Sequence, residues 1–317
     1  MKKVLTMTLN PCIDRTEYYD SFQVGATNIV KKAMEEAAGK GINVAVGLSH
    51  LNVPVKAMGF AYKEDKDKLY EKLDAEQIQH SFVEVAGRLR VNRKLFDESK
   101  SVMTECNEKG MPVTAEDIEA LLRILCEELE DTSILVLSGS VPPGVDKDIY
   151  ARMTTMANEA GVKVVLDASL ELLLEGIKAK PYLIKPNKEE FQKSFLKNEK
   201  INTELDDTEL SEQILVDVSK GIVKGGLSYV CLSLGADGAM LISHKVSESV
   251  DEKGIFRVDK RPAIPVSVRS LQGAGDAMVA GLCKAIYEGR EEKMLDYALA
   301  MAASTIYLEG TQMGNIE

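Results

Sequence analysis

The sequence has little of what a nucleic-acid-binding or membrane protein needs. It contains no tryptophan, and aromatic residues make up only 5% of its 317 residues. Its 39 lysines and arginines are outnumbered by 50 aspartates and glutamates, which gives a formal net charge of −11. Stacking on single-stranded nucleic acid and neutralisation of a phosphate backbone are therefore both disfavoured. No apolar run approaches the roughly 20 residues of a membrane-spanning helix, so a membrane protein is disfavoured as well.

Cysteine is also scarce, and its spacing does not fit the common disulfide and zinc frameworks. The five cysteines are odd in number, and no two of them form a CxxC pair. Near the N-terminus, the apolar run 4–9 ends at Asn10-Pro11, which is too early for the hydrophobic part of a secretory signal. We therefore expect a reduced, cytoplasmic protein with no nucleic-acid or membrane partner.

What the sequence does contain is an alternation of short apolar runs with longer helical patterns. This alternation is typical of a mostly parallel sheet covered by helices, and continuous hydrophobicity suits strands that are buried on both faces. A helix is predicted over 114–130, because Thr114 can cap its first turn and Asp117 adds negative charge there. Strands are predicted at 4–9, 53–60, 133–137, 162–166, 182–184 and 229–234.

Two stretches, at about 14–32 and 82–108, interrupt this alternation and are predicted to be extended. We expect them to pair into a small sheet that projects from the main one, either as a lid over a site or as a surface for a second copy. By strand alternation Arg90, Asn92 and Lys94 share one face of this sheet. In a protein of negative net charge, such a basic cluster can attract an anionic substrate. A strand edge made soluble by its charges is an equally good interpretation.

The strongest local motif is Gly273-Ala274-Gly275-Asp276, which opens a helical run. The glycines allow a tight turn, and the unpaired N–H groups of the first helical turn face the loop. Together with the helix dipole they form a site for a phosphoryl group that gains negative charge during transfer. The adjacent Asp276 carboxylate can accept the proton of an attacking hydroxyl. Taken alone, a turn with Asp as the helix N-cap explains the motif at least as well.

A second glycine-rich segment, Gly39-Lys40-Gly41, also opens a helical pattern. It lacks the spacing and the Ser/Thr of a Walker A loop, but Lys40 and the following Asn43 would suit a polyhydroxylated or phosphorylated ligand. Ser138 ends a predicted strand and is a candidate sugar or phosphate contact. The competing interpretation of the glycine segment is a loop-to-helix junction with a solvated lysine.

Two further loops follow predicted strands, which is where open α/β sheets bind ligands. In the first, Asn187 and Glu190 lie three residues apart and could hold Mg²⁺, through water. In the second, residues 233–239 could approach a nucleotide phosphate. The structural alternatives are a helix cap for the first loop and a hairpin turn for the second.

In this combination and order, the motifs resemble those of the PfkB family of ribokinase-like carbohydrate kinases. Residues 38–45 resemble the first signature of the family, and residues 272–281 resemble its second signature. Residues 8–16 and 138–144 are similar to those of the phosphosugar kinases within the family. The resemblance implies one ribokinase-like domain over 1–317, a three-layer α/β/α fold with a mostly parallel central sheet and a small β-sheet lid.

The resemblance also implies an activity: the ATP-dependent phosphorylation of a ketohexose phosphate, with D-fructose 1-phosphate converted to fructose 1,6-bisphosphate as the favoured reaction. The implied cofactors are ATP and Mg²⁺, and the implied partner is a second copy bound through the lid. Asp276 would be the general base, and Gly273, Ala274 and Gly275 would hold the transferring phosphoryl group. The implied substrate contacts are Asp14, Gly39, Lys40, Asn43, Arg90, Lys94 and Ser138, with Arg90 and Lys94 on the phosphate. The implied nucleotide contacts are Lys185, Asn187, Ser233, Gly235 and Gly238, with Asn187 and Glu190 on Mg²⁺.

Alternatives remain at this stage. A kinase of tagatose 6-phosphate or fructose 6-phosphate would use the same motifs. A catalytically weak paralogue that senses a sugar phosphate is motivated by departures from the family pattern at Ala38, Leu89, Ser270 and Leu271. A Rossmann dehydrogenase is disfavoured, because no GxGxxG follows the first strand.

Overall fold

The computed structural model describes residues 2–196, 212–244, 256–308, 310 and 312–316. The strands in this part of the chain are β1 (Lys3–Thr8), β2 (Cys12–Tyr19), β3 (Lys32–Ala38), β4 (Val55–Tyr62), β5 (Gln79–Val85), β6 (Arg90–Asp97), β7 (Val102–Asn107), β8 (Thr132–Ser138), β9 (Lys163–Asp167), β10 (Leu183–Ile184), β11 (Tyr229–Ser233), β12 (Ala239–His244) and β13 (Phe256–Arg261). The α-helices are α1 (Lys40–His50), α2 (Lys66–Ala75), α3 (Ala115–Glu128), α4 (Ile149–Glu159), α5 (Leu170–Gly176), α6 (Lys188–Phe191), α7 (Glu212–Lys224), α8 (Ala274–Tyr287) and α9 (Met294–Ile306).

The larger sheet has the strand order β13-β12-β11-β10-β9-β8-β1-β4-β5. All neighbours from β11 to β5 are parallel, and β12 and β13 extend one edge in antiparallel fashion. Strand β1 pairs with β4 on one side and with β8 on the other, so the strand order reverses there. A reversal of this kind leaves a crevice beyond the carboxyl ends of the strands, where open α/β sheets bind ligands.

Helices cover both faces of this sheet, which explains the continuous apolar runs of its strands. In β1, Leu5 and Met7 belong to the core shared with α3, α4, α5 and α7, whereas Val4 belongs to the core shared with α1, α2, α8 and α9. Successive strand residues point to opposite faces, so apolar residues occupy most positions of a doubly covered strand rather than every second one. The predicted three layers with a mostly parallel central sheet are confirmed.

The predicted elements of the main sheet are found close to their expected positions. Each of the six predicted strands overlaps an observed one, namely β1, β4, β8, β9, β10 and β11. Helix α3 begins after Thr114, whose side chain accepts a hydrogen bond from the backbone N–H of Asp117, and the Asp117 carboxylate accepts one from the N–H of Thr114. This capping box satisfies two N–H groups that the start of a helix leaves unpaired.

The small sheet exists, but its boundaries differ from the predicted ones. Its four strands have the order β3-β2-β6-β7, and they cover 12–19, 32–38, 90–97 and 102–107. Residues 82–85 belong instead to β5 of the main sheet, where Phe82 pairs with Gly59 of β4. Within the first stretch, residues 20–31 form no strand, and the second strand lies directly before the Gly39 loop. We call these four strands the lid.

Candidate active site

A cleft of about 460 Å³ lies between the lid and the carboxyl ends of β1, β8 and β9. The predicted site residues that line it are Asp14, Gly39, Lys40, Asn43, Arg90, Lys94, Ser138, Glu190, Gly273 and Asp276. Residues far apart in sequence therefore meet at the crevice that the reversal of strand order creates. The cleft is large enough for a small polar ligand and falls within the size range of small-molecule sites.

The glycine loop at 273 forms the N-terminus of α8, and Asp276 lies in its first turn. Gly273 is the N-cap residue with φ of 75°, a left-handed conformation that favours glycine. No side chain caps this helix. The Asp276 carboxylate instead accepts a hydrogen bond of 2.8 Å from Nδ2 of Asn43. The interpretation of Asp276 as a simple N-cap is therefore wrong, and the first-turn N–H groups are left without a capping side chain.

Asp276 is buried, and its charge is set by opposing influences. Burial raises the pKa of Asp276 to about 6, and the Asp167 carboxylate also raises it, while the Lys40 ammonium, the Asn43 amide and Lys185 lower it. A group with this pKa is mostly ionised at pH 7 and can still accept a proton during a reaction. Its position at a helix start and its pKa together fit a general base.

Lys40 is the first residue of α1, and the start of α1 packs closely on β1. A side chain at position 41 would collide with the backbone carbonyl of Met7, so the glycine there permits this approach. Burial alone would lower the pKa of Lys40, but the carboxylates of Asp167, Asp276 and Glu190 raise it above its ordinary value. Lys40 is therefore a fixed positive charge at the cleft.

Asp167, a residue that sequence reasoning missed as part of the site, lies at the end of β9. Its side chain is fully buried, and its carboxylate lies 3.0 Å from Nζ of Lys40 and 3.2 Å from Nζ of Lys185. Burial alone would raise the pKa of Asp167, but the two ammonium groups hold it below its ordinary value. The signal that could have found it is an acidic residue at the carboxyl end of a buried strand.

The lid contributes the face that strand alternation predicted. Arg90, Asn92 and Lys94 line the cleft, whereas Arg93 is exposed. Nε of Arg90 donates to the carbonyl of Asn10, and its guanidinium also donates to the carbonyl of Glu108. Its guanidinium also donates to Oδ1 of Asn92, so three neutral oxygens orient Arg90, and none of its hydrogen bonds among the described residues goes to a carboxylate.

Lys94 differs from Arg90, because a carboxylate balances its charge. Its Nζ donates to Oδ2 of Asp14 at 2.7 Å and to Oε1 of Gln272 at 2.9 Å. These bonds connect two lid strands to the loop that precedes α8. Gln272 was not among the predicted site residues, because nothing in the sequence shows that a lid lysine will reach it.

Several buried polar atoms at the cleft have no hydrogen-bond partner within the described part of the chain. They include Oγ1 of Thr8, Oδ1 of Asn43 and Oγ of Ser138, all on residues that line the cleft. Buried polar atoms without a partner are rare in proteins, because leaving them unpaired costs about 1–3 kcal/mol each. A ligand rich in hydroxyl groups would satisfy them.

Of the predicted nucleotide and Mg²⁺ residues, Glu190 lines the cleft and Asn187 is its capping partner. Asn187 caps α6 in a second capping box, in which its Oδ1 accepts from the N–H of Glu190 and Oε2 of Glu190 accepts from the N–H of Asn187. Ser233 donates its N–H to the carbonyl of Pro186, which brings the two predicted loops together.

Gly235 and Gly238 lie in the turn between the antiparallel strands β11 and β12, both with positive φ. They do not line the cleft that holds Asp276. The structural alternatives for these two loops, a helix cap and a hairpin turn, are both observed, and their ligand contacts stay a prediction.

Other cleft residues were also missed as site residues. They are Thr8, Asn10, Cys12, Glu105, Asn107, Gly139, Ser140, Ala168 and Ser169. Among them, Glu105 and Asn107 lie on β7, which pairs with β6 so that Lys94 faces Glu105. Strand alternation predicts which face they occupy only after this pairing is known.

Comparisons with known proteins agree with the geometry of the cleft. The chain matches the pfkB family carbohydrate kinases over residues 7–317. It is 32% identical to 1-phosphofructokinase of Vibrio cholerae over 317 residues, which cover 100% of this chain and 93% of that protein.

Solved structures show the same fold. Phosphofructokinase-2 of Escherichia coli superposes with a TM-score of 0.84 at 25% identity, covering 100% of this chain and 96% of that one. Ribokinase of Thermotoga maritima has a TM-score of 0.77 at 17% identity, with 100% and 97% covered, and this likeness confirms the ribokinase-like fold. Among the described residues, no helix is both long enough and apolar enough to cross a membrane. The chain belongs to the pfkB family of carbohydrate kinases.

Proposed function

We propose that this protein transfers the γ-phosphoryl group of ATP to the free primary hydroxyl of a ketohexose phosphate, with D-fructose 1-phosphate as the substrate and fructose 1,6-bisphosphate as the product. The observation that carries the proposal is the buried Asp276 carboxylate at the start of α8, in the same cleft as Arg90, whose hydrogen bonds within the described part of the chain include no carboxylate. A proton acceptor and an anion-binding helix start thus share one cleft with a cation for the substrate phosphate.

In the proposed reaction, the sugar hydroxyl oxygen forms a bond to the γ-phosphorus as the bond between that phosphorus and the ADP oxygen breaks. The hydroxyl proton passes to Asp276, and ADP leaves with the electron pair of the broken bond. The N–H groups at Gly273, Ala274 and Gly275 stabilise the charge on the transferring group. Enzymes accelerate phosphoryl transfer mainly by positioning the reactants and by stabilising charge in this way.

The substrate is oriented from its two ends. Arg90, with help from Lys94, binds the phosphate already present on the sugar, while Asp14, Gly39, Lys40, Asn43 and Ser138 bind its hydroxyl groups. The unpartnered Oδ1 of Asn43 and Oγ of Ser138 support this assignment. Because the phosphate is held on the lid side, the opposite end of the sugar faces Asp276.

We propose that the nucleotide lies on the side of Lys185, Asn187, Ser233, Gly235 and Gly238, with Mg²⁺ near Asn187 and Glu190. Glu190 lines the cleft, and its capping bond uses one of its two carboxylate oxygens. One carboxylate, together with water and nucleotide phosphates, is a donor set that Mg²⁺ commonly uses. Bound there, Mg²⁺ would offset the charge of the nucleotide phosphates.

The choice of D-fructose 1-phosphate rests on the curated relative named 1-phosphofructokinase and on the lid arginine. An ADP-release assay over D-fructose 1-phosphate, tagatose 6-phosphate, fructose 6-phosphate and unphosphorylated fructose tests it. We expect the highest kcat/KM with D-fructose 1-phosphate. A preference for a 6-phosphate would contradict the substrate assignment, and sugar-phosphate binding with no ADP release would favour the sensing paralogue.

We also propose that residues 1–317 form one domain and that the protein acts in the cytoplasm.

We further propose that two copies of the protein associate through their lids. The lid presents two edge strands, β3 and β7, and every residue of β7 is exposed. Met34 and Met103 each remain 38% exposed on this sheet. Unpaired strand edges with exposed apolar side chains favour association with another chain.

A further inference from the structure

We propose that Asp167 is a positioning residue for phosphoryl transfer, which holds the ammonium groups of Lys40 and Lys185 near the start of α8. This inference rests on the proposed kinase function. Oδ2 of Asp167 accepts a hydrogen bond from Nζ of Lys40 at 3.0 Å, and Oδ1 lies 3.2 Å from Nζ of Lys185. One buried carboxylate thereby fixes two cations that come from different elements.

The two lysines face different parts of the reaction path. The Lys40 side chain is 39% exposed, lines the cleft and lies in the field of the Asp276 carboxylate, so it belongs to the side of the accepting hydroxyl. Lys185 is buried and follows β10. Its Nζ lies 3.6 Å from the place where a side chain at Gly275 would begin, which puts this ammonium beside the start of α8.

The net charge of the four ionised side chains around Asp167 becomes more positive as the phosphoryl group is transferred. Lys40, Lys185, Asp167 and the ionised Asp276 have a net charge of zero. When Asp276 takes the proton of the sugar hydroxyl, the group gains one positive charge. This gain coincides with the build-up of negative charge on the transferring group, so the four residues together favour the transition state over the ground state.

A purely structural role explains the arrangement poorly. Burying a carboxylate with two ammonium groups is costly, and apolar side chains of similar volume often stabilise a fold as well or better. The neighbours of Asp167 along β9 are apolar and belong to the two cores. A fully buried carboxylate with one buried and one partly exposed ammonium group at the cleft end of this strand is therefore better explained by the chemistry at the cleft.

The test replaces Asp167 with asparagine, which keeps its shape and removes its charge. We expect kcat to fall about 100-fold, the effect of misplaced catalytic groups, with a much smaller change in KM for ATP and the phosphosugar. The acidic limb of the pH profile, where kcat/KM falls as the pH drops, should move to lower pH. Removing Asp167 takes away a carboxylate that raises the pKa of Asp276 and leaves the two ammonium groups that lower it. The moved limb reports that the Asp167 charge acts on Asp276, and the fall in kcat of the folded variant is the change that a merely structural residue would not produce.

Two further variants separate positioning from stability. Asp167→Glu keeps the charge and should recover part of kcat. The double variant Asp167→Asn/Lys185→Met rebalances the buried charge, so its Tm should recover while kcat stays low. If Asp167→Asn alone does not fold, Asp167→Glu supplies the folded protein for the kinetic test, and its kcat should lie between those of the wild type and the double variant. Full recovery of kcat in the double variant would overturn the proposal. A folded Asp167→Asn variant with near wild-type kcat and an unchanged pH profile of kcat/KM would overturn it as well.

A measurement without turnover distinguishes failure of this inference from failure of the proposed function. Competitive acetylation by acetic anhydride, followed by mass spectrometry, reports how readily Lys40 loses its proton. Acetylation of Lys40 should be faster in Asp167→Asn than in the wild type, because the main carboxylate that raises its pKa is gone. An unchanged rate would overturn the positioning role even if the wild type proves to be an active kinase. Absence of ADP release from the wild type would contradict the proposed function alone.

Discussion

At the scale of single residues, the raised pKa of Asp276 predicts how activity depends on pH. A general base must be ionised, so kcat/KM should fall as the pH drops through about 6, the value to which burial raises this group. Measurement of kcat/KM between pH 5 and 8 checks this, with thermal unfolding at each pH as the control for folding. A limb near the ordinary aspartate value of about 4 would contradict the assigned role.

Arg90 gives a second prediction at this scale. If it binds the substrate phosphate, Arg90→Ala should raise KM for the phosphosugar about 10- to 100-fold, the effect of losing a charge-assisted hydrogen bond, and change KM for ATP little. Arg93→Ala is the matched control, because Arg93 lies on the same strand and is exposed. Equal effects of Arg90→Ala on the two substrates would argue against the phosphate contact.

Residues that lie in local motifs were predictable from the sequence, and residues chosen by tertiary contacts were not. Asp276 and Lys40 stand beside glycines at helix starts, where backbone geometry alone indicates an anion site. Gln272 also stands beside Gly273, but neither Gln272 nor Asp167 is marked in the sequence as the partner of a particular lysine. Their roles depend on which lysine reaches them across the fold, and sequence spacing does not contain this information.

At the scale of elements, the described part of the chain contains two capping boxes with the same chemistry in different places. Asn187→Ala and Thr114→Ala should each lower the free energy of unfolding by about 1 kcal/mol, because each removes one capping acceptor. Only Asn187→Ala should raise the Mg²⁺ concentration needed for half-maximal activity. Chemical denaturation and Mg²⁺ titrations of both variants measure this. A similar Mg²⁺ requirement in both would contradict the proposed metal contact.

The elements of the main sheet were more predictable than those of the lid. A strand covered on both faces is marked by apolar residues at consecutive positions, as in Val4-Leu5 of β1 and residues 134–137 of β8. Lid strands are covered on one face or on neither, and β7 is exposed throughout. Their composition therefore does not fix where they begin and end. For the same reason, the sequence did not show that residues 82–85 pair with β4 of the main sheet, whereas the next strand, β6, belongs to the lid.

At the scale of the whole molecule, the exposed lid predicts the state of association. Met103→Asp should convert a dimer into a monomer, because it places a charge on the apolar part of the lid. Val258→Asp is the matched control, since Val258 is 42% exposed on β13, at an edge of the main sheet. Sedimentation velocity measures both variants. A wild-type monomer, or a dimer in Met103→Asp, would contradict association through the lid.

The overall architecture followed from one pattern, the alternation of apolar strands with amphipathic helices. That pattern predicts a helix-covered parallel sheet, and the reversal of strand order at β1 then fixes where the cleft lies. The chemistry inside the cleft rests on Asp276, which is why its replacement is the most direct test of the proposed function.

That test is the rate of ADP formation by Asp276→Asn with saturating ATP and D-fructose 1-phosphate. Asparagine can still accept the hydrogen bond from Asn43, and it removes a buried carboxylate whose ionised form destabilises the fold above its raised pKa, so Tm should not fall. We predict that ATP still binds and that kcat falls at least about 100-fold. A folded Asp276→Asn variant with near wild-type kcat would contradict the account.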